Sequence, residues 1–374
     1  MTAPATAMVC YRYAFKISPT LKNICSYLHE TEGTTVEVIV DDIYHHEELS
    51  WPGVTIINAG AEPCYRYFLK PLLRSDNKKH FRQSLGRVIS RYSRLFAVDF
   101  VSLDLLHAAG CDLSRVIFLS LEGTDFMQPY DKAHVAKLLD RCALRIVQSR
   151  ERGDDINTYL RSALSFAYLP VSCRFQPLNR APGPDRLQLI YSGYFAEWAC
   201  LSELLAAYRD SACFEICSLL LQGHSLGTAD YLSRVQKEAA LLPETIIDTS
   251  YYSDDAHAEL LVRHHAGLAF YKNIHDTANF ENLILSSGKV AAYLWSGLAV
   301  ITNIRSEFSN RPPFVFVDLS DPGSLRDAVE RIDADRDLYA DAAYRMANSV
   351  YNFDVYMAAI CEKMPVCQPG DAAL

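Results

Sequence analysis

The sequence predicts an α/β protein built as two successive units of helix and mainly parallel sheet, and three observations carry that prediction. Strand-like and helix-like stretches alternate along all 374 residues. A break at 169–185 holds Pro170, Pro177, Pro182, Gly183 and Pro184 and keeps no periodicity, which marks a linker. The length is generous for one core and suits two domains of ordinary size.

In the first half, 9–15 and 36–40 read as short strands around a helix at 20–30, and 54–57 as another strand. Residues 81–96 carry Phe81, Leu85, Val88, Ile89, Tyr92, Leu95 and Phe96 at spacings of three and four, one face of a helix with arginines opposite. The apolar runs 95–100, 116–121 and 144–147 are expected as buried strands. After the break come strand 187–191, helix 201–209, strand 214–221, helix 231–241, strand 245–247 and helix 256–264. Strand 266–270, a polar loop, helix 289–295, strand 299–302, strand 314–317 and a helix from Gly323 complete the second unit. Two such units offer ligand sites at the carboxyl ends of their strands. The expected domains are 1–178, joined by a returning helix at about 352–366, and 186–351.

Half the residues are hydrophobic and 22% are charged, the balance of a soluble globular chain. No apolar run is long enough for a membrane span, and the first eight residues are too short and uncharged for a secretory signal. The 11 cysteines form no CxxC pair, so reduced and mostly buried thiols are expected; Cys213 and Cys217, four apart in an apolar run, read as packing residues. The adjacent pairs His45-His46 and His264-His265 diverge on any regular element, so each offers at most one easy ligand, and no metal site is expected.

The net charge of −9 conceals a basic stretch between Arg66 and Arg94, where nine Lys and Arg face one acid, Asp76, leaving about −17 on the remainder. The plain reading is the solvated face of a helix. The other is an anionic membrane surface met by Arg82, Arg87 and Arg91, with Tyr65, Tyr67 and Phe68 at the interface. Nucleic acid is not an expected partner, because the chain is acidic overall and lacks a reader motif.

The sharpest chemical signal is Ser286-Ser287-Gly288-Lys289, which opens an apolar helix ended by Ser296-Gly297 and followed by a strand. Free N–H groups and the positive end of the helix dipole attract an anion there. Gly288 permits close approach, the serine hydroxyls can donate, and Lys289 supplies charge. The same residues also read as a serine cap before a solvated first-turn lysine. A P-loop is excluded, since its GxxxxGK[ST] spacing is absent.

Set in order, these segments resemble GT-B glycosyltransferases, especially those similar to family 4 (the group 1 transferases). The family's donor segment, K-x-x-E-Y-x-x-x-G-x-P-V-I, stands here as Lys289-Val290-Ala291-Ala292-Tyr293-Leu294-Trp295-Ser296-Gly297-Leu298-Ala299-Val300-Ile301. Leu189-Ile190-Tyr191-Ser192-Gly193 looks like the first strand and glycine turn of the family's C-terminal domain. Leu144 to Ser149 with Arg152 is similar to its I-V-Q-S-x-x-R element, and Val116 to Glu122 to a strand-end glutamate segment. Asn352-Phe353-Asp354 with Tyr356 resembles the final helix that returns to the first domain. The chain departs from the pattern at Ala292, where a glutamate would hold the donor ribose. It also lacks the basic pair after the first strand, and has Ala14-Phe15-Lys16-Ile17-Ser18-Pro19 in place of a glycine-rich loop.

The resemblance implies two Rossmann-like domains facing each other across a cleft, with the nucleotide-sugar donor held by the second. The donor residues it implies are Gly193, Tyr194, Lys272, Asn279, Asn282, Ser286, Ser287, Gly288 and Lys289, with Lys272 or Arg305 supplementing the missing cations. Fixed donors such as the Ser287 and Gly288 N–H groups and Lys289 would stabilise the departing diphosphate. Closure would exclude water. Family 4 implies retention and no metal; an inverting enzyme would need a first-domain base, for which Glu122 and Asp125 are the candidates. A glycan or lipid-linked glycan acceptor, in surface polysaccharide or glycoconjugate synthesis, and a cytoplasmic setting at the inner membrane face complete the expectation.

Two other classes compete. Gly223-His224-Ser225-Leu226-Gly227 matches the GxSxG elbow of α/β-hydrolases, with Asp230, Asp248, Asp254, Asp255, His257, His264, His265 and His275 downstream. The chain also fits a catalytically silent relative that binds sugar nucleotides or glycans.

Overall fold

The computed structural model describes residues 6–11, 18–41, 51–60, 73–125, 127–172, 186–225, 229–272, 284–309 and 311–365. They divide into two compact units, one comprising residues 1–170 and 353–374 and the other residues 171–352.

In the first unit the elements run β1 (Thr6–Cys10), α1 (Pro19–Glu32), β2 (Val36–Val40), β3 (Val54–Asn58), α2 (Leu73–Val88), β4 (Arg94–Val98) and α3 (Asp99–Ala108). They continue as β5 (Val116–Ser120), α4 (Lys132–Arg141), β6 (Leu144–Val147), α5 (Arg150–Leu160) and β7 (Ala167–Tyr168). All seven strands are parallel, in the order β3-β2-β1-β4-β5-β6-β7. The order reverses between β1 and β4, where Thr6 pairs with Val36 on one side and Arg94 on the other. Such a switch point leaves a crevice at the carboxyl ends of the strands.

The sheet is buried on both faces. Ala7 and Val9 join one apolar cluster while Met8 and Cys10 join the other, as the two-residue period of a strand requires. The second cluster also takes Phe353, Met357 and Ile360 from the last helix and Met364 just beyond it, which returns the C-terminal segment to this unit.

The second unit comprises β8 (Leu187–Phe195), α6 (Leu201–Asp210), β9 (Cys217–Ser225), α7 (Ala229–Ala239), β10 (Thr245–Asp248), α8 (Asp254–Leu261) and β11 (Ala266–Ala269). It continues with α9 (Gly288–Trp295), β12 (Ala299–Thr302), β13 (Phe314–Phe316), α10 (Pro322–Asp333) and α11 (Arg336–Ser349). The returning helix of the first unit is α12 (Phe353–Cys361). The second sheet is also wholly parallel, in the order β10-β9-β8-β11-β12-β13, with its switch between β8 and β11. Ala299 and Ile301 of β12 enter one cluster and Val300 the other.

Local chemistry sets the helix starts. Ser18, Asp131, Ser149, Ser253 and Ser287 each accept a backbone N–H of the first turn, and Gly33 closes α1 in the left-handed region at φ 63°. Gly267 lets α9 settle on the sheet: a Cβ there would lie 2.3 Å from the Tyr293 ring.

Three expected elements differ. The helix expected at 81–96 starts earlier and ends at Val88, followed by a single 3₁₀ turn before β4 begins at Arg94. Its apolar spacing runs into the strand without a break, so periodicity alone merged the two. The strand expected at 95–100 ends at Val98, because Asp99 turns the chain at φ 56° into α3. The strand expected at 9–15 is β1, and residues 12–17 lie outside the described part. Among the described residues, no helix is long and apolar enough to cross a membrane.

Candidate functional site

The start of α9 lies at the carboxyl end of the second sheet, beside the β8/β11 switch. Ser287 caps it: its hydroxyl accepts the Val290 N–H at 3.3 Å and lies 2.5 Å from the Tyr271 hydroxyl. The serine expected to donate to an anion is thus committed to the cap and to Tyr271. Gly288 and Lys289, as the first two helical residues, keep N–H groups that no helix carbonyl can take. Ser286 and Ser287 are both buried.

Lys289 is the distinctive residue. Its amine lies 4.3 Å from the Tyr191 ring centre, 4.8 Å from Tyr271 and 5.3 Å from Trp198. Trp198 and Tyr271 stack in parallel, with centres 6.0 Å apart. The Nζ atom is buried and makes no hydrogen bond. Burial pulls its pKa down to about 7, against a weaker upward pull from the Cys200 thiol. The lysine is therefore neither a solvated first-turn residue nor an ion-paired one. It is a desolvated amine in an aromatic box, to which the rings offer partial cation–π compensation.

Gly193 lies within β8, paired with Gly223 of β9 where a glycine turn was expected, and it shapes the box. A Cβ at this position would come within 3.3 Å of both Lys289 Cε and Nζ and 3.1 Å of the Tyr191 hydroxyl. Tyr191 is held by donating to the Tyr194 carbonyl at 2.6 Å, so Tyr194 contributes through its backbone. Tyr271 is clamped by Asn303, whose side chain accepts its N–H at 2.9 Å and donates to its carbonyl at 2.8 Å.

The structure thus brings together Gly193, Ser287, Gly288 and Lys289. It turns the supplementary cations elsewhere: Lys272 is exposed and pairs with Glu203 at 3.2 Å, and Arg305 is exposed and lies over the Phe316 ring at 4.0 Å. Ala292 is half-buried against the apolar cluster under α9. Asn279 and Asn282 lie outside the described residues.

A second centre lies at the carboxyl ends of β4 and β5 in the first unit. Glu122 and Asp125, the two expected carboxylates, are joined there by Asp99. The Asp99 Oδ1 accepts the N–H groups of Leu121 and Glu122 at 2.8 and 3.2 Å, and its buried Oδ2 has no partner. Burial first, and the Glu122 charge second, push Asp99 up to about 7, against those two N–H donors and Arg152. Burial also raises Glu122, opposed by Arg152. Arg152 donates to the Leu121 carbonyl and to Gln148. Asp99 is a carboxyl poised near neutrality beside a switch point, an arrangement enriched at functional sites.

The hydrolase signature has another explanation here. Gly223 is small because a Cβ would meet the Gly193 carbonyl oxygen at 1.7 Å, so its role is the close approach of β8 to β9. His257 bonds Ser192 at 2.7 Å, His264 Nδ1 meets the Leu260 carbonyl at 2.9 Å, and His265 takes Gln188 N–H at 3.0 Å and Arg336 at 3.2 Å. Each of these histidines has its ring engaged away from Ser225, and His275 and Gly227 lie outside the described residues, as do His45 and His46. The Ser225 triad is set aside.

The basic helix is also clarified. Arg82, Arg87 and Arg91 are exposed, but Phe81, Leu85 and Ile89 are spent in the core of the first unit. The apolar stripe is not available to a membrane, and only the arginine face remains. Tyr65, Tyr67 and Phe68 lie outside the described residues. Every described cysteine is an unbridged thiol, buried except for the half-buried Cys361. Among the described residues, no group of His, Cys, Asp or Glu is placed to hold a metal ion.

No protein-family model matches the sequence, and no curated protein matches it. Solved structures do. HepE from Anabaena, crystallised with UDP and glucose, is 10% identical with a TM-score of 0.67, covering 96% of this chain and 98% of its own. A glycosyltransferase from Rickettsia africae is 12% identical with a TM-score of 0.67, over 97% of this chain and 98% of that one. WaaG, a glycosyltransferase involved in lipopolysaccharide biosynthesis, is 11% identical with a TM-score of 0.65, over 95% and 99%. At such identity the likeness concerns the fold: the chain has the GT-B fold, with two doubly wound α/β units and a C-terminal helix belonging to the first.

Proposed function

We propose that the chain is a nucleotide-sugar-dependent glycosyltransferase whose donor diphosphate is received at the start of α9. The observation that carries this reading is the Lys289 amine: buried, without a hydrogen-bond partner, and placed beside Gly193 of β8 and the free N–H groups of Gly288 and Lys289. An unpartnered buried amine at the positive end of a helix is incomplete until an anion arrives. HepE, which shares the fold, is a UDP- and glucose-binding protein by its crystal structures, and that supports a nucleotide sugar as the anion.

Chemically, the departing diphosphate gains negative charge as the glycosidic bond breaks. Fixed N–H groups and a cationic lysine stabilise that charge without rearranging. Transfer with retention and without a metal is the form we infer, from the resemblance to family 4. The acceptor, a glycan or lipid-linked glycan in polysaccharide or glycoconjugate synthesis, is assigned to the first unit. Asp99, Glu122 and Asp125 are the groups there able to take or give a proton. The exposed Arg82, Arg87 and Arg91 face suits an anionic membrane surface reached from the cytoplasm by charge alone. Salt-sensitive sedimentation with anionic liposomes, lost when the three become glutamate, is the expected result; unchanged sedimentation would refute that part.

The test of the main reading is release of nucleotide from a panel of sugar nucleotides by the purified protein. Turnover that disappears in Lys289→Ala supports it, and turnover indifferent to that change removes it. A silent, binding-only relative would bind a nucleotide sugar and release nothing.

A further inference from the structure

Ser192, immediately before Gly193, is held from three sides. Its N–H donates to the Tyr293 hydroxyl at 2.8 Å, and that hydroxyl in turn donates to the Leu268 carbonyl at 3.3 Å. Its own hydroxyl lies 2.7 Å from Gln222 Oε1 and 2.7 Å from His257 Nε2. Elements β9, α8 and α9 therefore converge on the residue of β8 that precedes Gly193.

The direction of these bonds follows from proton counting. The Gln222 amide nitrogen donates to the Ser250 carbonyl at 3.3 Å, which turns its oxygen toward Ser192. A serine hydroxyl has one proton, and Gln222 Oε1 can only accept, so that proton goes to Gln222. His257 Nε2 must then carry a hydrogen and donate to Ser192 Oγ. A serine and a histidine at 2.7 Å would otherwise suggest a nucleophile and its base, but here the histidine nitrogen holds the proton and the serine has given its own elsewhere. Burial holds the imidazole below its usual pKa, with Asp254 as a weaker opposing influence, so the neutral ring is the resting form.

We propose that His257 is a positioning residue of the α9 anion site, acting through Ser192 to hold the Gly193 backbone of β8 against the Lys289 side chain. The proposal rests on the reading of α9 as the donor site. Gly193 transmits the effect because it is closely approached on two sides: an added Cβ would crowd Lys289, and it pairs with Gly223, where an added Cβ would lie 1.7 Å from the Gly193 carbonyl oxygen. Without the donor at Nε2, Ser192 Oγ keeps one bond instead of two and the wall of the lysine box loosens. His257 touches neither the amine nor the free N–H groups, so its influence is geometric.

The experiment compares the wild type with His257→Leu and His257→Gln, whose amide N–H can stand in for Nε2–H. UDP is the binding probe, measured by calorimetry. Nitrogen-15 spectra of the histidine ring give the tautomer, and carbon-13 spectra of labelled lysine follow the titration of Lys289. The expected result is the Nε2–H tautomer in the wild type, UDP affinity about five- to tenfold weaker in His257→Leu, and recovery in His257→Gln. A loss of folding stability alone would not reproduce this pattern, because binding is scored on folded protein.

An Nδ1–H tautomer, equal UDP affinity in all three proteins, or a Gln variant as weak as the Leu variant would overturn the proposal. If the wild type itself binds neither UDP nor any other nucleoside diphosphate, the α9 reading falls separately. The relay is then judged by Lys289: an upward move of its titration in His257→Leu sustains the coupling, and an unchanged titration ends it.

Discussion

The Lys289 amine lies 4.3 Å from the centre of the Tyr191 ring and has no hydrogen-bond acceptor. Most charged residues at the surface of a protein lose little by folding. This one loses its hydration, and the consequences can be measured in the protein without any ligand.

Stability should respond to pH through this amine. Its pKa is 10.5 when solvated and about 7 in the folded chain, so between those values the unfolded state binds more protons. Stability contributed by this group therefore rises as pH increases from 7 toward 10.5, and its full penalty is present below 7. Denaturant titrations at the two ends should differ by a few kcal/mol in the wild type, of which Lys289→Met loses the greater part. An unchanged difference in the variant would mean the amine is hydrated.

The same group should set the pH dependence of anion binding. A diphosphate beside Lys289 favours the protonated amine, so binding above pH 7 takes up a proton and affinity should fall as pH rises. Calorimetry in buffers of different ionisation enthalpy measures that proton directly. Its absence across pH 7–9 would disconnect the amine from the ligand.

Crowding the box should act on binding more than on folding at one glycine and the reverse at another. Gly193→Ala brings a Cβ to 3.3 Å from Lys289 Cε and Nζ, and nucleotide affinity is expected to drop by about tenfold or more. Gly267→Ala places a Cβ 2.3 Å from the Tyr293 ring in the middle of the packed helix, and a loss of about 1–3 kcal/mol is expected by denaturation. Equal effects of the two on binding would argue that Gly193 matters only for packing.

Asp99 supplies an opposite pH signature. A carboxyl raised from 3.8 to about 7 binds more protons in the folded state across that window, so stability falls as pH rises through it. Asp99→Asn keeps an oxygen for the Leu121 and Glu122 N–H groups and carries no charge, and its stability should be flatter between pH 4 and 7. A variant with the wild-type slope would place the titration elsewhere.

The alternation of strand and helix was readable because both sheets are buried on two faces, so β4, β5 and β12 each hold a run of three or four consecutive apolar residues. Helix α9 was readable from Ser287, Gly288 and the Ser296-Gly297 stop. Helix α3 was not, because β4 passes into it with no glycine or proline, and the turn is made by Asp99 at φ 56°. The aromatic box was hidden for another reason. Tyr191, Trp198, Tyr271 and Lys289 come from four segments, and only the parallel pairing of β8 with β11 and the seating of α9 bring them together. For the same reason Lys289 could be singled out in the sequence as a cation, while its desolvation could not.

A donor site at α9 requires that a nucleoside diphosphate bind through Lys289. Calorimetric titration of UDP and other nucleoside diphosphates into the wild type and into folded Lys289→Ala tests this most directly. The predicted result is binding by the wild type that weakens by tenfold or more in the variant, as loss of a charge-assisted contact requires. Binding that survives Lys289→Ala undiminished, or no binding of any nucleoside diphosphate by the wild type, would contradict it.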